Sequence, residues 1–301
     1  MTRLPIDDIL PKLRSVLDTA PSVVLRADPG AGKTTRVPPA LLDVPWLAGK
    51  RIIMLEPRRL AAQRAAVYMA EERGEKAGQT IGYRIRGEQR VGPETRIEVV
   101  TEGILTRMIQ DDPSLDGTGL VIFDEFHERS IHADLGLALA LDAQAELRPD
   151  LRILVMSATL DGLAVATLLG GAPVVESEGR MFPVETRHLA KPAPRELESA
   201  VASCVLRSLR CDAGDLLVFL PGQREIRRTE TLLTTDGLPE GVELHLLYGE
   251  APAERQQAAL RPAGQGARKP GVWEPCPGAT TTSTLVAFRG RAVAGAAEPR
   301  S

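Results

Sequence analysis

Apolar positions in the first 175 residues fall into two alternating patterns: short uninterrupted runs, and stretches spaced three and four apart. Ile6, Ile9, Leu10, Leu13, Val16 and Leu17 recur at helical spacing, with Asp7 and Asp8 in the first turn, and predict an amphipathic helix over 5–20. The runs at 22–26, 51–55, 96–100, 120–123 and 151–156 predict strands. Residues 120–123 are apolar throughout and read as a strand buried on both faces. Between the runs, 37–42, an Ala-rich stretch reaching about Glu72, and 104–109 predict helices. Strand and helix alternating in this way predict a doubly wound parallel sheet of the α/β class.

The strand ends carry the candidate chemistry. After 22–26 comes Ala27-Asp28-Pro29-Gly30-Ala31-Gly32-Lys33-Thr34-Thr35. A strand, a glycine-rich loop, Lys-Thr and a helix make a phosphate-binding device. Loop N–H groups and the helix N-terminus point at an anion, Lys33 reaches the outer phosphates, and the Thr34 hydroxyl holds Mg²⁺. Ala27 stands where the G-x-x-x-x-G-K-[ST] pattern has its first glycine; that position needs a small residue more than a positive φ. The strand at 120–123 delivers Asp124-Glu125-Phe126-His127-Glu128-Arg129. Alone, an Asp-Glu pair also suits a solvated loop. Beside a phosphate loop it suits a Mg²⁺–nucleotide site, with Asp124 holding the metal through water and Glu125 orienting the attacking water. Arg58 and Arg59 follow the strand at 51–55, where ligands bind in open α/β sheets, and they equally suit a solvated helix start. Ser157-Ala158-Thr159 closes the strand at 151–156, either as a helix cap or as a hydroxyl relay from the γ-phosphate.

Composition narrows the field without deciding it. A hydrophobic fraction of 43% in 301 residues supports a core, and 3% aromatics leave that core to Leu, Val, Ile and Ala. Net charge is −3, and neither half has more Lys and Arg than Asp and Glu, so any nucleic-acid contact must be a local strip. Cys204, Cys211 and Cys276 lack metal-ligand spacing and read as thiols of a reducing compartment. With no secretory leader and no membrane-length apolar run, a cytoplasmic protein without membrane contact is expected.

In order, Gly30 to Thr35, Glu56-Pro57-Arg58-Arg59-Leu60-Ala61-Ala62-Gln63, Thr101-Glu102-Gly103-Ile104-Leu105, Asp124 to Ser130 and Ser157-Ala158-Thr159 resemble the motifs of DEAH-box superfamily 2 helicases. The likeness is to the bacterial ATP-dependent RNA helicases of that family. Phe126 replaces the alanine of the box and leaves its three chemical side chains in place. The resemblance implies a RecA-like domain over 1–175 followed by a second, incomplete RecA-like domain. It implies that Gly30, Ala31, Gly32, Lys33, Thr34 and Thr35 bind ATP, that Thr34 and Asp124 hold Mg²⁺, and that Glu125 activates water. His127, Ser157 and Thr159 would couple hydrolysis to domain movement. Arg58, Arg59, Thr101 and Gly103 would line a path for single-stranded RNA, through backbone contacts. No aromatic-plus-acidic adenine clamp precedes residue 27, so other nucleoside triphosphates are expected substrates too.

Residues 176–189 read as an inter-domain crossing and 190–261 as the start of the second domain, with helices near 194–210, around Ile226 and at 253–260, and strands near 214–222 and 242–249. The family's T-x-x-A-E-T-S and Q-R-x-G-R-x-G-R patterns are absent from the chain. The forty residues of 262–301 hold five Pro, six Gly and eight Ala, a composition that disfavours a packed core. They read as an aberrant, poorly ordered tail of frameshifted origin. The leading expectation is therefore a truncated RNA helicase, and the alternative is a nucleotide- and RNA-binding remnant that does not unwind. A phosphate-loop kinase or transporter ATPase is disfavoured, because a kinase needs an acceptor site between loop and box.

Overall fold

A computed structural model describes residues 3–158, 164–177, 197–212 and 215–248, together with the backbone of 162–163, 270–273, 283–288 and 291–296. The chain divides into two units, Met1–Arg180 and Met181–Ser301.

The first unit opens with a 3-10 turn, Pro5–Asp8, and then α1, Leu10–Thr19. The sequence predicted one helix here, but Pro11 has no N–H and fits only a first turn, so the α-helix starts afresh at Leu10. Then come β1 (Ser22–Ala27), α2 (Lys33–Ala40), β2 (Arg51–Leu55), α3 (Arg59–Glu72), β3 (Ile81–Ile85), β4 (Glu88–Arg90), β5 (Ile97–Val100), α4 (Glu102–Asp111), β6 (Thr118–Phe123), α5 (Ile131–Glu146), β7 (Arg152–Ser157), α6 (Gly162–Leu168) and β8 (Val174–Ser177). Pro38 and Pro39 remove two intrahelical donors and end α2 at Ala40, two residues earlier than the apolar pattern suggested.

The eight strands form one sheet in the order β4-β3-β5-β2-β6-β7-β1-β8. Every neighbouring pair is parallel except the β3–β4 hairpin at the edge, which the sequence pattern did not reveal. Alternate side chains enter two separate cores. Val23, Leu25, Ile52, Met54, Leu120 and Ile122 pack with α1, α2 and α3 on one face. Val24, Ile53, Leu55, Val121 and Phe123 pack with α4, α5 and α6 on the other. That period of two, covered by helices on both sides, is why the strands read as continuous apolar runs.

In the second unit, α7 (Leu197–Cys211), β9 (Leu216–Phe219), α8 (Gln223–Thr235) and β10 (His245–Leu247) fall where helix, strand, helix and strand were read. Val205, Val218, Ile226 and Leu233 are fully buried in its core. The backbone of β11 (Pro270–Trp273), β12 (Ser283–Phe288) and β13 (Arg291–Ala296) joins β9 and β10 in the order β10-β11-β9-β12-β13. These strands were no part of the sequence reading of 262–301. The crossing beyond residue 177 and the helix read at 253–260 lie outside the described residues.

Candidate nucleotide site

Three adjacent strands, β6, β7 and β1, bring the candidate motifs to one edge of the sheet. β1 ends at Ala27, which is buried within the ladder beside Ser177, so this position demands a small side chain and extended backbone. The loop then turns at Gly30 (φ 78°) and Gly32 (φ 96°), both in the left-handed region that glycine favours. Gly32 is needed a second time: a Cβ there would lie 2.6 Å from Leu4 Cδ1. The Ile6 amide donates to the Ala31 carbonyl at 3.2 Å, so the N-terminal turn braces the loop from behind. Lys33 opens α2, which places the loop at a helix N-terminus.

Lys33 and Thr34 reach across to the residues after β6. Lys33 Nζ lies 2.8 Å from Glu125 Oε1, with the lysine side chain 5% and the glutamate side chain 26% exposed. Thr34 Oγ1 donates to Asp124 Oδ2 at 2.5 Å, and the Glu125 amide donates to Asp124 Oδ1 at 2.8 Å. The other Glu125 oxygen, Oε2, lies 3.3 Å from His127 Nε2, and His127 Nδ1 accepts from the Ala158 amide at 3.3 Å. One run of contacts therefore links phosphate loop, box and the end of β7. Ser157 is buried there, and Thr159 lies outside the described residues. Thr35 follows on α2 and is half-buried.

Negative charge is crowded at this edge. Burial pushes the Asp124 carboxyl up to about 6; the Thr34 hydroxyl and Lys33 pull it down, while Glu125 pushes it further up. Glu56 is also buried, and desolvation followed by the charge of Asp124 pushes it up to about 8. Sheet hydrogen bonds fix both groups here, since the Glu56 amide donates to the Val100 carbonyl and the Asp124 amide to the Leu55 carbonyl. Lys33 is the cation that pairs with this cluster, and a divalent cation would offset the excess. Among the described residues no set of three or more His, Cys, Asp or Glu could cage a metal. One hydroxyl and one carboxylate suit Mg²⁺, which keeps several waters and completes its shell with phosphate oxygens.

Glu56 carries a pH prediction. The unfolded side chain titrates near 4.5 and the folded one near 8, so the folded state holds the proton more tightly. Its stability therefore falls as pH climbs between those values and levels off above them. Glu56→Gln removes that loss, so its stability advantage over the parent should widen across the interval, on the order of 3 kcal/mol. Melts at about pH 5 and about pH 8.5 measure it, and a constant gap between the two proteins contradicts it.

The RNA-path candidates stand on the neighbouring strands β2 and β5. Arg58 and Arg59 are exposed at the end of β2, Arg58 paired with Glu128 and Arg59 donating to the Arg86 carbonyl at 3.1 Å. After β5, Thr101 is buried as the residue preceding α4, and nothing lies within 4 Å of where a Gly103 Cβ would be. An approaching strand would thus meet open backbone at Gly103 and guanidinium groups at Arg58 and Arg59. Phe126, the departure in the box, is 3% exposed and packs edge-on to Phe123, with ring centroids 6.2 Å apart. It fills the second core and leaves the box's polar side chains at the edge.

Comparison with known proteins bears on the family and the fold. A family described as DEAD/DEAH box helicase matches residues 10–167. This chain belongs to that family. It is 53% identical over 269 residues to the ATP-dependent RNA helicase HrpB of Escherichia coli (strain K12), covering 89% of this chain and 33% of that protein. It is 31% identical over 268 residues to the probable ATP-dependent RNA helicase DHR2 of Saccharomyces cerevisiae, covering 86% of this chain and 36% of that protein. The crystal structure of E. coli DEAH/RHA helicase HrpB superimposes with a TM-score of 0.84 at 51% identity, covering 90% of this chain and 34% of that one. The chain thus spans about a third of the length of the relatives it matches. For a DEAD/DEAH box helicase domain, the mainly parallel sheet is the RecA-like arrangement expected from the motifs.

Sequence reasoning quoted Glu56, Glu102, Glu128 and Ser130 as motif letters and gave them no task. For Glu56 the available signal was positional: a carboxylate placed directly at the end of a buried apolar strand has to be neutral or paired.

Proposed function

We propose that this chain carries the nucleotide-binding half of a DEAH-class, ATP-dependent RNA helicase motor acting in the cytoplasm. One observation supports this most: Lys33 and Thr34 of the phosphate loop meet Glu125 and Asp124 of the box at 2.8 and 2.5 Å. Gly30, Ala31, Gly32, Lys33, Thr34 and Thr35 hold the phosphates of ATP or another nucleoside triphosphate. Thr34 and Asp124 hold Mg²⁺, which when bound neutralises charge on the outer phosphates. Lys33 exchanges Glu125 for a phosphate oxygen, and Glu125, relieved of that partner, is left to orient the attacking water. His127, with Ser157 and Thr159, passes the state of the site toward β7. Single-stranded RNA contacts Arg58, Arg59, Thr101 and Gly103 through its backbone, a mode that ignores sequence.

A second reading, binding without unwinding, is favoured by one feature. The Q-R-x-G-R-x-G-R pattern, whose arginines the family resemblance directs to the nucleotide, is absent from these 301 residues. An arginine at a transferring phosphoryl group is worth about 10³–10⁵ in kcat. We therefore expect the chain to bind Mg–nucleotide and RNA while turning nucleotide over slowly, with little stimulation by RNA. Equilibrium binding and RNA-stimulated hydrolysis on the purified chain separate the readings. Stimulated turnover points to a working motor, binding alone to the module, and failure to bind either ligand rules out both. No described helix is long and apolar enough to cross a membrane.

A further inference from the structure

The far end of the box is tied to both stretches assigned to the RNA path. Arg58 Nη2 donates to Glu128 Oε1 at 2.6 Å. Ser130 Oγ donates to Glu102 Oε1 at 2.5 Å and accepts from the Ala133 amide at 3.0 Å, which caps α5. Between these ties and the catalytic end lies a single 3-10 turn, Phe126–Glu128. Two non-glycine residues with positive φ bracket it, Glu125 at 48° and Arg129 at 46°. Such backbone persists only where its surroundings over-determine it, and it concentrates at switch elements. The Glu128 amide donates to the Glu125 carbonyl at 2.9 Å, so a shift of Glu128 acts directly on the residue that faces Lys33.

We propose that Glu128 is a positioning residue that competes with RNA phosphate for Arg58 and thereby reports RNA entry to Glu125. This rests on the assignment of Arg58 to the RNA path. The pair is built for exchange: the Arg58 side chain is 50% exposed and that of Glu128 32%, and an ion pair so open to water is weak. The guanidinium fork matches a phosphate as well as it matches a carboxylate. An incoming phosphodiester takes Arg58, Glu128 loses its partner, and the strained turn carrying Glu125 and His127 gains freedom to rearrange. The Ser130–Glu102 bond anchors the other end, so the movement is confined to the turn. Linkage makes the effect reciprocal: whatever RNA does to nucleotide affinity, nucleotide does equally to RNA affinity.

The test is fluorescence anisotropy of a labelled oligouridylate with the 301-residue chain, with and without a non-hydrolysable Mg–ATP analogue. Parent, Glu128→Gln, Arg58→Ala and the double variant are compared, each first shown to melt cooperatively. Glu128→Gln should bind RNA about two- to five-fold tighter, because Arg58 is no longer sequestered. The gain should vanish in the Arg58→Ala background, and the ratio of RNA affinities with and without analogue should move toward one. A gain that survives Arg58→Ala is general relief of charge repulsion and overturns the proposal, as does no gain at all. If Arg58→Ala alone leaves RNA affinity unchanged, the assignment of the RNA path fails, and this proposal falls with it.

Discussion

Lys33→Ala should weaken binding of Mg–ATP by about 2–4 kcal/mol, or roughly 30- to 1,000-fold in Kd. Lys33 is 4% exposed at the first position of α2 with Glu125 as present partner, and in the proposed site its ammonium turns to the outer phosphates. Truncation removes a desolvated cation from an edge that holds Glu56, Asp124 and Glu125, so Mg²⁺ and the loop amides are left to balance an arriving polyphosphate against those carboxyl groups. The same substitution leaves the Glu125 carboxylate with His127 as its side-chain partner. Lys33→Arg should not restore affinity, because a planar guanidinium fork does not reproduce the compact point charge of an ammonium. Isothermal titration of the three proteins gives the answer directly. A Kd for Lys33→Ala within a few-fold of the parent would remove Lys33 from the phosphate site.

Phe126→Ala has the largest expected effect on stability, about 3–5 kcal/mol. The ring is 3% exposed, sits edge-on to Phe123 and shares its core with Leu105, Leu137 and Val155. Arg129 also lies over it, 5.8 Å from the centroid. The loss combines transfer of the ring to water with the cavity that remains. Its interest lies in the family pattern, which has alanine at this place in the box. A chain whose neighbours had grown to fill the space would tolerate alanine; here the surrounding core has been fitted to phenylalanine. Denaturant unfolding of the first unit should show the drop, while Lys33 and Asp124 keep their partners. Loss of under about 1 kcal/mol would mean that the surrounding side chains collapse into the space.

The parts of this molecule that were legible beforehand are those governed by local chemistry. A short apolar run bounded by turn residues suits a strand covered on both faces, and 120–123 is fully buried as expected of one, whereas the longer run 135–141 lies within α5. Gly30 and Gly32 announced a tight loop, and both have the positive φ that glycine adopts without strain. What escaped was set by neighbours distant in sequence. In the β3–β4 hairpin, β4 is only three exposed residues and carries no apolar signal, while β3 does alternate Ile81, Tyr83 and Ile85 but over just five residues. That Leu4 and Ile6 brace the phosphate loop depends on a contact across some 25 residues of chain, which periodicity cannot report. The ion pair between Arg58 and Glu128 spans 70 residues and joins two motifs that read as independent. Phe126 was recognised as a departure, yet its inward orientation follows from the turn after Asp124 and not from the letters of the box.

Titration of the 301-residue chain with ATP, once with Mg²⁺ and once with excess EDTA, tests the central claim most directly. Joined Lys33–Glu125 and Thr34–Asp124 contacts predict saturable, one-to-one binding with Mg²⁺ and clearly weaker binding without it, because the carboxylate cluster then repels the phosphates. At a ligand concentration of about 100 Kd the bound protein should also be stabilised by about 2.7 kcal/mol. Absence of saturable binding, or binding that is indifferent to Mg²⁺, would contradict the assignment of this edge as a Mg–nucleotide site.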